Sequence, residues 1–143
     1  MPASASPRLR AIVHALPLRP HLRVLEIGCG PGVAARLVAA RLDSGHILAI
    51  DRSAAAVAQA RAGSAEEIAA GRLIVRQMAA EELVLSLGED PYDLVFAVRV
   101  GALDGRHPAL GERIMARLTD ATRPGARLFV DGGDPLRELP LPR

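Results

Sequence analysis

The chain contains no lysine, no asparagine and no tryptophan, a single cysteine, and only two phenylalanines and one tyrosine among its 143 residues. Each absence removes a class of chemistry. Without lysine there is no Schiff-base nucleophile and no P-loop lysine, and without asparagine there is no N-glycosylation acceptor. With aromatics at 2% the core must be built from Ala, Val, Leu and Ile, and stacking platforms for bases are not expected. The lone Cys29 can form neither an intramolecular disulfide nor a zinc cluster, which fits a reducing compartment. The bias toward arginine and alanine is what a GC-rich coding sequence produces.

No run is long and apolar enough for a membrane span. Residues 1–10 are small and polar with two prolines, and the apolar stretch Ala11 to Leu18 is interrupted by His14 and Pro17, so it reads as neither signal peptide nor anchor. The formal charge of +2 arises from 18 basic and 16 acidic residues spread along the chain, with no clustered basic patch of the kind that tracks nucleic acid. Half the residues are hydrophobic and mean hydropathy is +0.19, which places the chain among folding sequences rather than disordered ones. The length allows one domain over 1–143, with 1–8 flexible and 134–143 an extended tail.

What is present is a repeating strand and helix pattern. Leu9, Ile12, Val13 and Leu16 recur at helical spacing before Pro17 and Pro20; Arg23–Ile27 reads as a strand, and Val33, Leu37 and Val38 as the apolar stripe of a helix. Further strands are expected at His46–Ile50, Leu73–Met78, Asp93–Val98 and Arg127–Val130. Between them fall an alanine-rich helix from about Ser53, a restart at Ser64 with Glu67 as a capping box, a short helix over Glu81–Leu87, and a helix from Pro108 whose apolar face is Leu110, Ile114, Leu118 and Ala121. Arg123-Pro124-Gly125-Ala126 suits a type II turn into the last strand. Parallel neighbours need crossovers, so the expected fold is α/β: a three-layer, Rossmann-like doubly wound sheet, mostly parallel. Ligands in such sheets bind beyond the carboxyl ends of the strands.

Gly28-Cys29-Gly30-Pro31-Gly32 lies between the first strand and its helix, where glycines let backbone approach a ligand without a Cβ in the way. Asp51 follows the second strand, about 20 residues beyond, where an acid can accept hydrogen bonds from a ribose. A nicotinamide dinucleotide fingerprint needs a third glycine where this sequence has Val33, and Glu26 just before the loop would repel a pyrophosphate while suiting a cationic ligand.

Val24-Leu25-Glu26-Ile27-Gly28-Cys29-Gly30-Pro31-Gly32 resembles the first motif of class I S-adenosylmethionine-dependent methyltransferases. Ala80-Glu81-Glu82-Leu83 is similar to that family's loop after strand three, Tyr92-Asp93-Leu94-Val95-Phe96-Ala97 to its fourth-strand motif, and Arg123-Pro124-Gly125-Ala126-Arg127-Leu128 to its turn into strand five; the likeness covers about residues 22 to 131. The resemblance implies S-adenosyl-L-methionine as cofactor. It gives Glu26, Gly28, Gly30 and Gly32 to the methionine half and Asp51 to the ribose, with Cys29 inside the loop, Arg52 beside Asp51, and Ala79 and Ala80 at the adenine. Two departures stand out. Ala79 occupies a position where the family often has an acid for the adenine amino group. The family's sheet usually continues with two more strands as an antiparallel hairpin, whereas this sequence reaches Arg143 soon after strand five, so about five strands are expected.

Displacement at a sulfonium methyl needs alignment more than a general base, so no catalytic residue follows from the first motif. The segment after strand four is where the family places acceptor contacts, which makes Arg99, Asp104 and His107 the substrate-binding candidates. Arg99 and His107 also have plainer readings, as a surface or salt-bridged arginine and a solvent-exposed histidine before a helix. Cys29 reads as a small loop filler, with no lysine to activate it. The Asn-Pro-Pro-Tyr-like and Pro-Cys motifs of the family's DNA-modifying branches are absent, so a small-molecule acceptor is expected. The reading is a cytoplasmic methyltransferase; its rivals are a cofactor-binding module completed by a partner chain at an open sheet edge beside strand five, and a small nicotinamide oxidoreductase.

Overall fold

A computed structural model describes residues 4–142. Pro7–Ala15 forms α1, with the Ser6 hydroxyl accepting from the Leu9 N–H at 3.1 Å and Pro7 at the first helical position, where a missing N–H costs nothing. Order therefore begins earlier than the sequence suggested, since residues 7 and 8 are helical rather than flexible. There follow β1 (Arg23–Ile27), α2 (Val33–Ala39), β2 (His46–Asp51), α3 (Ala54–Gly63), α4 (Ala65–Ala69), β3 (Leu73–Gln77), β4 (Tyr92–Ala97), α5 (Pro108–Ala121), β5 (Thr122–Asp131) and β6 (Leu136–Leu139).

The sheet has six strands in the order β3-β2-β1-β4-β5-β6, all parallel except β6. The chain winds outward from β1 to β3 and then returns to lay β4 on the other side of β1, so the switch point lies between β1 and β4. Strand alternation sorts the side chains into two cores. Val24, Ile47, Ala49, Leu94 and Phe96 pack beneath α1, α2 and α3, while Leu25, Ile27, Leu48, Ile50 and Val95 face α5 through Ile114, Leu118 and Ala121. The same alternation turns Glu26 toward the α1 and α2 face, among apolar neighbours.

Four expectations are corrected. The tail holds a strand: β6 pairs antiparallel with β5 from Leu128↔Leu139 to Asp131↔Leu136, so the sheet has six strands and β5 is not an edge. The new edge presents Arg137 and Glu138, charges that disfavour further pairing. Glu81–Leu87 is not an α-helix; only Ala80–Glu82 makes a 3₁₀ turn. Beyond it the Glu89 carboxylate accepts from the Ser86 N–H at 2.8 Å and the Tyr92 hydroxyl at 2.6 Å, anchoring the chain in a turn and leaving Leu87 fully exposed. Ser64 makes no capping bond for α4; its buried hydroxyl accepts from Arg36 Nη1 at 3.0 Å, and the same nitrogen holds the Pro31 carbonyl at 3.1 Å. Finally, the turn at Gly125, with φ +86°, does not precede β5 but bulges from within it, between the pairs Tyr92↔Thr122 and Leu94↔Arg127.

Candidate active site

Two neighbouring cavities open at the carboxyl ends of β1, β2 and β4. The front lobe, about 330 Å³, lies between α1 and the glycine loop and is lined by Glu26, Gly28, Cys29, Gly30, Val98 and Arg99 beneath Ser6, Arg8, Leu9 and Ile12. The rear lobe, about 440 Å³, runs along Asp51, Arg52, Met78, Ala79, Ala80 and Glu81 and is backed by Val100, His107, Leu110 and Ile114. Gly28 and Arg99 line both, so the lobes meet at the switch point.

The loop makes this space because of how its glycines sit. At Gly28, φ is +69° and a Cβ would stand 3.0 Å from Val100 Cγ2, so glycine lets the loop pack closely on the segment that follows β4. At Gly32, φ is +85° and a Cβ would meet the Ala60 Cβ at 3.0 Å, so glycine allows α2 to begin against α3. Three loop amides are already engaged: Cys29 N–H bonds the Ile50 carbonyl at 3.0 Å, Gly32 N–H the Cys29 carbonyl at 3.1 Å, and Gly30 N–H the Asp51 Oδ2 at 2.9 Å. Fewer amides are thus left for a pyrophosphate, and the Glu26 carboxyl beside the loop disfavours one.

Glu26 is 3% exposed, and its Oε1 is a buried polar atom without a partner among the described residues. Burial, reinforced by the nearby charge of Asp51, pushes its carboxyl from about 4.5 up to about 8. Asp51 is the hinge of the loop: Oδ2 accepts from Gly30 and Oδ1 from the Ser53 N–H at 2.9 Å. Each oxygen keeps a second lone pair, so the carboxylate can still receive two hydroxyl donors from the rear lobe. Burial raises the Cys29 thiol to about 12, which leaves it an inert, uncharged part of the wall.

The structure brings Glu26, Gly28, Cys29, Gly30, Asp51, Arg52, Ala79 and Ala80 to the cavity walls, and Arg99 and His107 with them. Arg52 reaches across the rim of the rear lobe to Glu81, its Nη2 lying 3.0 Å from both carboxylate oxygens. Gly32 does not line either lobe and acts through the α2 and α3 contact. Asp104 also stands outside the lining: its Oδ2 pairs with Arg106 Nε at 2.7 Å. Sequence reasoning missed α1 as a roof, the apolar wall from Met78 to Ile114, and Asp131, which accepts from the Arg99 N–H at 3.0 Å and from Arg8 Nη2 at 3.1 Å. Asp131 ends β5, as Asp51 ends β2, and that shared position was a legible signal.

The comparisons agree with this geometry. Trans-aconitate 2-methyltransferase of Methylobacterium nodulans is 33% identical over 124 residues, 86% of this chain and 43% of that protein. A S-adenosylmethionine-dependent methyltransferase from Geobacter sulfurreducens, solved with S-adenosyl-L-homocysteine, superposes with a TM-score of 0.66 at 26% identity, covering 87% of this chain and 47% of that one. The cyclase SpnF superposes with a TM-score of 0.69, also at 26% identity, over 86% of this chain and 43% of that one. The chain thus spans less than half the length of these relatives. The family model described as a methyltransferase domain matches residues 24–125, from β1 to the turn within β5, and the chain belongs to that family.

Proposed function

We propose that the described residues form one domain that binds S-adenosylmethionine and methylates a small-molecule acceptor. The observation that carries this reading is Glu26: a buried carboxyl with an unpartnered oxygen, on the floor of the front lobe and beside a loop in which three amides are already bonded within the protein. That arrangement suits an ammonium-bearing ligand and disfavours a phosphate-bearing one. The cofactor, when bound, supplies an activated methyl group on a positively charged sulfur.

The residues present fit that cofactor end to end. Glu26 would hold the ammonium in the front lobe, the Gly28 backbone would flank the ligand between the lobes, and Asp51 would receive the ribose hydroxyls on its remaining lone pairs. The apolar slot between Met78 and Leu110, with Ala79 and Ala80 at its edge, has room for an adenine, and Ala79 leaves the base amino group to backbone or water. Arg52 and Glu81, paired across the rim, narrow access from solvent. The walls thus align the ligand and exclude water, which is most of what displacement at an activated methyl requires.

A relative that acts on trans-aconitate supports a small acceptor rather than nucleic acid. No helix among the described residues is long and apolar enough to cross a membrane, and a cytoplasmic setting fits the single buried thiol. The likeness to a cyclase favours a second reading, in which the same pocket binds the cofactor without methyl turnover, since fold alone does not settle chemistry. Calorimetric titration with S-adenosylmethionine, S-adenosylhomocysteine and NAD tests the first step: the first two should bind and NAD should not. Release of S-adenosylhomocysteine over a panel of acceptors then separates the two readings, and NAD binding alone would reject both.

A further inference from the structure

We infer that Arg99 selects the acceptor by binding a carboxylate at the junction of the two lobes. This rests on the proposed function, in which the cofactor spans both lobes and an acceptor must meet its methyl group near their junction. Arg99 follows β4 at the switch point, is exposed, and lines both lobes. It is the sole non-glycine residue with positive φ among the described residues, at +60°, a conformation that side chains with a Cβ avoid. Asp131 holds it there by accepting the Arg99 N–H at 3.0 Å. Strain held in place at a cleft points to a use for the residue so placed.

The charges around it give that use its chemistry. The other two arginines that line the lobes, Arg8 and Arg52, have acidic partners in Asp131 and Glu81. No carboxylate among the described residues pairs with the Arg99 guanidinium, and the charge of Asp131 is balanced by Arg8 at 3.1 Å. One guanidinium therefore stands uncompensated where the lobes meet, flanked by the uncharged Gly28, Val98 and Val100. Its planar fork of donors matches a carboxylate, which it can bind through two parallel hydrogen bonds. The other titratable groups lining the front lobe are Arg8, balanced by Asp131, Glu26, which the cofactor reading gives to a cation, and the inert Cys29, so an acceptor that already carries its own negative charge is the one the Arg99 side of the junction complements.

The test titrates the chain, with and without saturating S-adenosylhomocysteine, with trans-aconitate, succinate and benzoate and with the neutral amide of each. Arg99→Gly removes the guanidinium at a backbone angle that glycine adopts freely, and Arg99→Lys keeps the charge without the fork. At least one acid should bind about tenfold or more tightly than its amide. Arg99→Gly should weaken that acid about 10- to 100-fold, the scale of a charge-assisted hydrogen bond, and Arg99→Lys should restore part of the loss. The affinity of Arg99→Gly for S-adenosylhomocysteine should stay within about twofold of the parent. The inference is overturned if no acid binds, if amides bind as well as acids, or if S-adenosylhomocysteine weakens in Arg99→Gly as much as the acids do, which would give the arginine to the cofactor. Failure of the parent chain to bind S-adenosylhomocysteine would reject the cofactor reading instead, and acid binding to the unloaded chain, lost in Arg99→Gly, would still uphold the clamp.

Discussion

Replacing Glu26 with glutamine tests whether the fold gives up stability to keep a carboxyl where a cation will bind. In the folded chain this group is raised from about 4.5 to about 8, by burial first and by the charge of Asp51 second. The folded state therefore retains a proton that the unfolded state has lost between those two pH values. Stability should be greatest below about pH 4.5 as far as this group is concerned, fall as pH rises through the window, and level off above about pH 8. At about 1.4 kcal/mol per pH unit the full effect is about 5 kcal/mol, an upper bound, because water entering the front lobe would relieve some of the burial. Glutamine has the same shape and no charge, so Glu26→Gln should match the parent near pH 5 and exceed it by several kcal/mol near pH 8.5. For a domain of this size that corresponds to about 3–5 °C in Tm per kcal/mol, easily read by thermal or urea unfolding of the cofactor-free chain across pH 5–9. In the same variant S-adenosylmethionine should bind about 10- to 100-fold more weakly, because a charge-assisted bond is lost. A parent stability that stays level or rises between pH 5 and 8.5, or a glutamine variant that shares its decline, would refute the reasoning.

Three further outcomes follow from other contacts. Asp51→Ala should weaken S-adenosylhomocysteine by about 1–3 kcal/mol in calorimetry and also lower Tm, because the Gly30 and Ser53 N–H groups lose their acceptor. Gly32→Ala should cost about 2 kcal/mol in urea unfolding, from the left-handed backbone and the 3.0 Å approach to Ala60, while Gly125→Ala, with nothing within 4 Å, should cost only the backbone part. Leu118→Ala, at a fully buried position between α5 and the sheet, should lose about 2–5 kcal/mol of stability by chemical denaturation.

The features legible in the amino-acid order were the local ones. Val24 to Gly32 reads as strand, loop and helix because the period of the apolar residues changes within a few positions, and Glu26 and Asp51 stand out because an acid at the end of an apolar strand has few structural uses. The parallel sheet followed from the recurrence of that unit. Where the order misled, the deciding partner was distant along the chain. Leu136–Leu139 sits among prolines and has no strand character of its own; pairing with β5 makes it one. Glu81–Leu87 has the composition of a helix, yet Glu89, Tyr92 and Arg76 hold the chain in a turn instead. Ser64 has the spacing of a cap but is claimed by Arg36 from another helix.

The same division runs through the site. Sequence alone determined the family, the glycine loop and the two acids, because those depend on residues joined by short stretches of backbone. Only the tertiary structure decided that Glu26 is buried with an unpartnered oxygen, that the Gly30 amide is bonded to Asp51, and that Arg99 stands uncompensated while Asp131 anchors its backbone and pairs with Arg8. Burial and charge balance are sums over neighbours from six strands and the helices around them, and no single segment contains that sum.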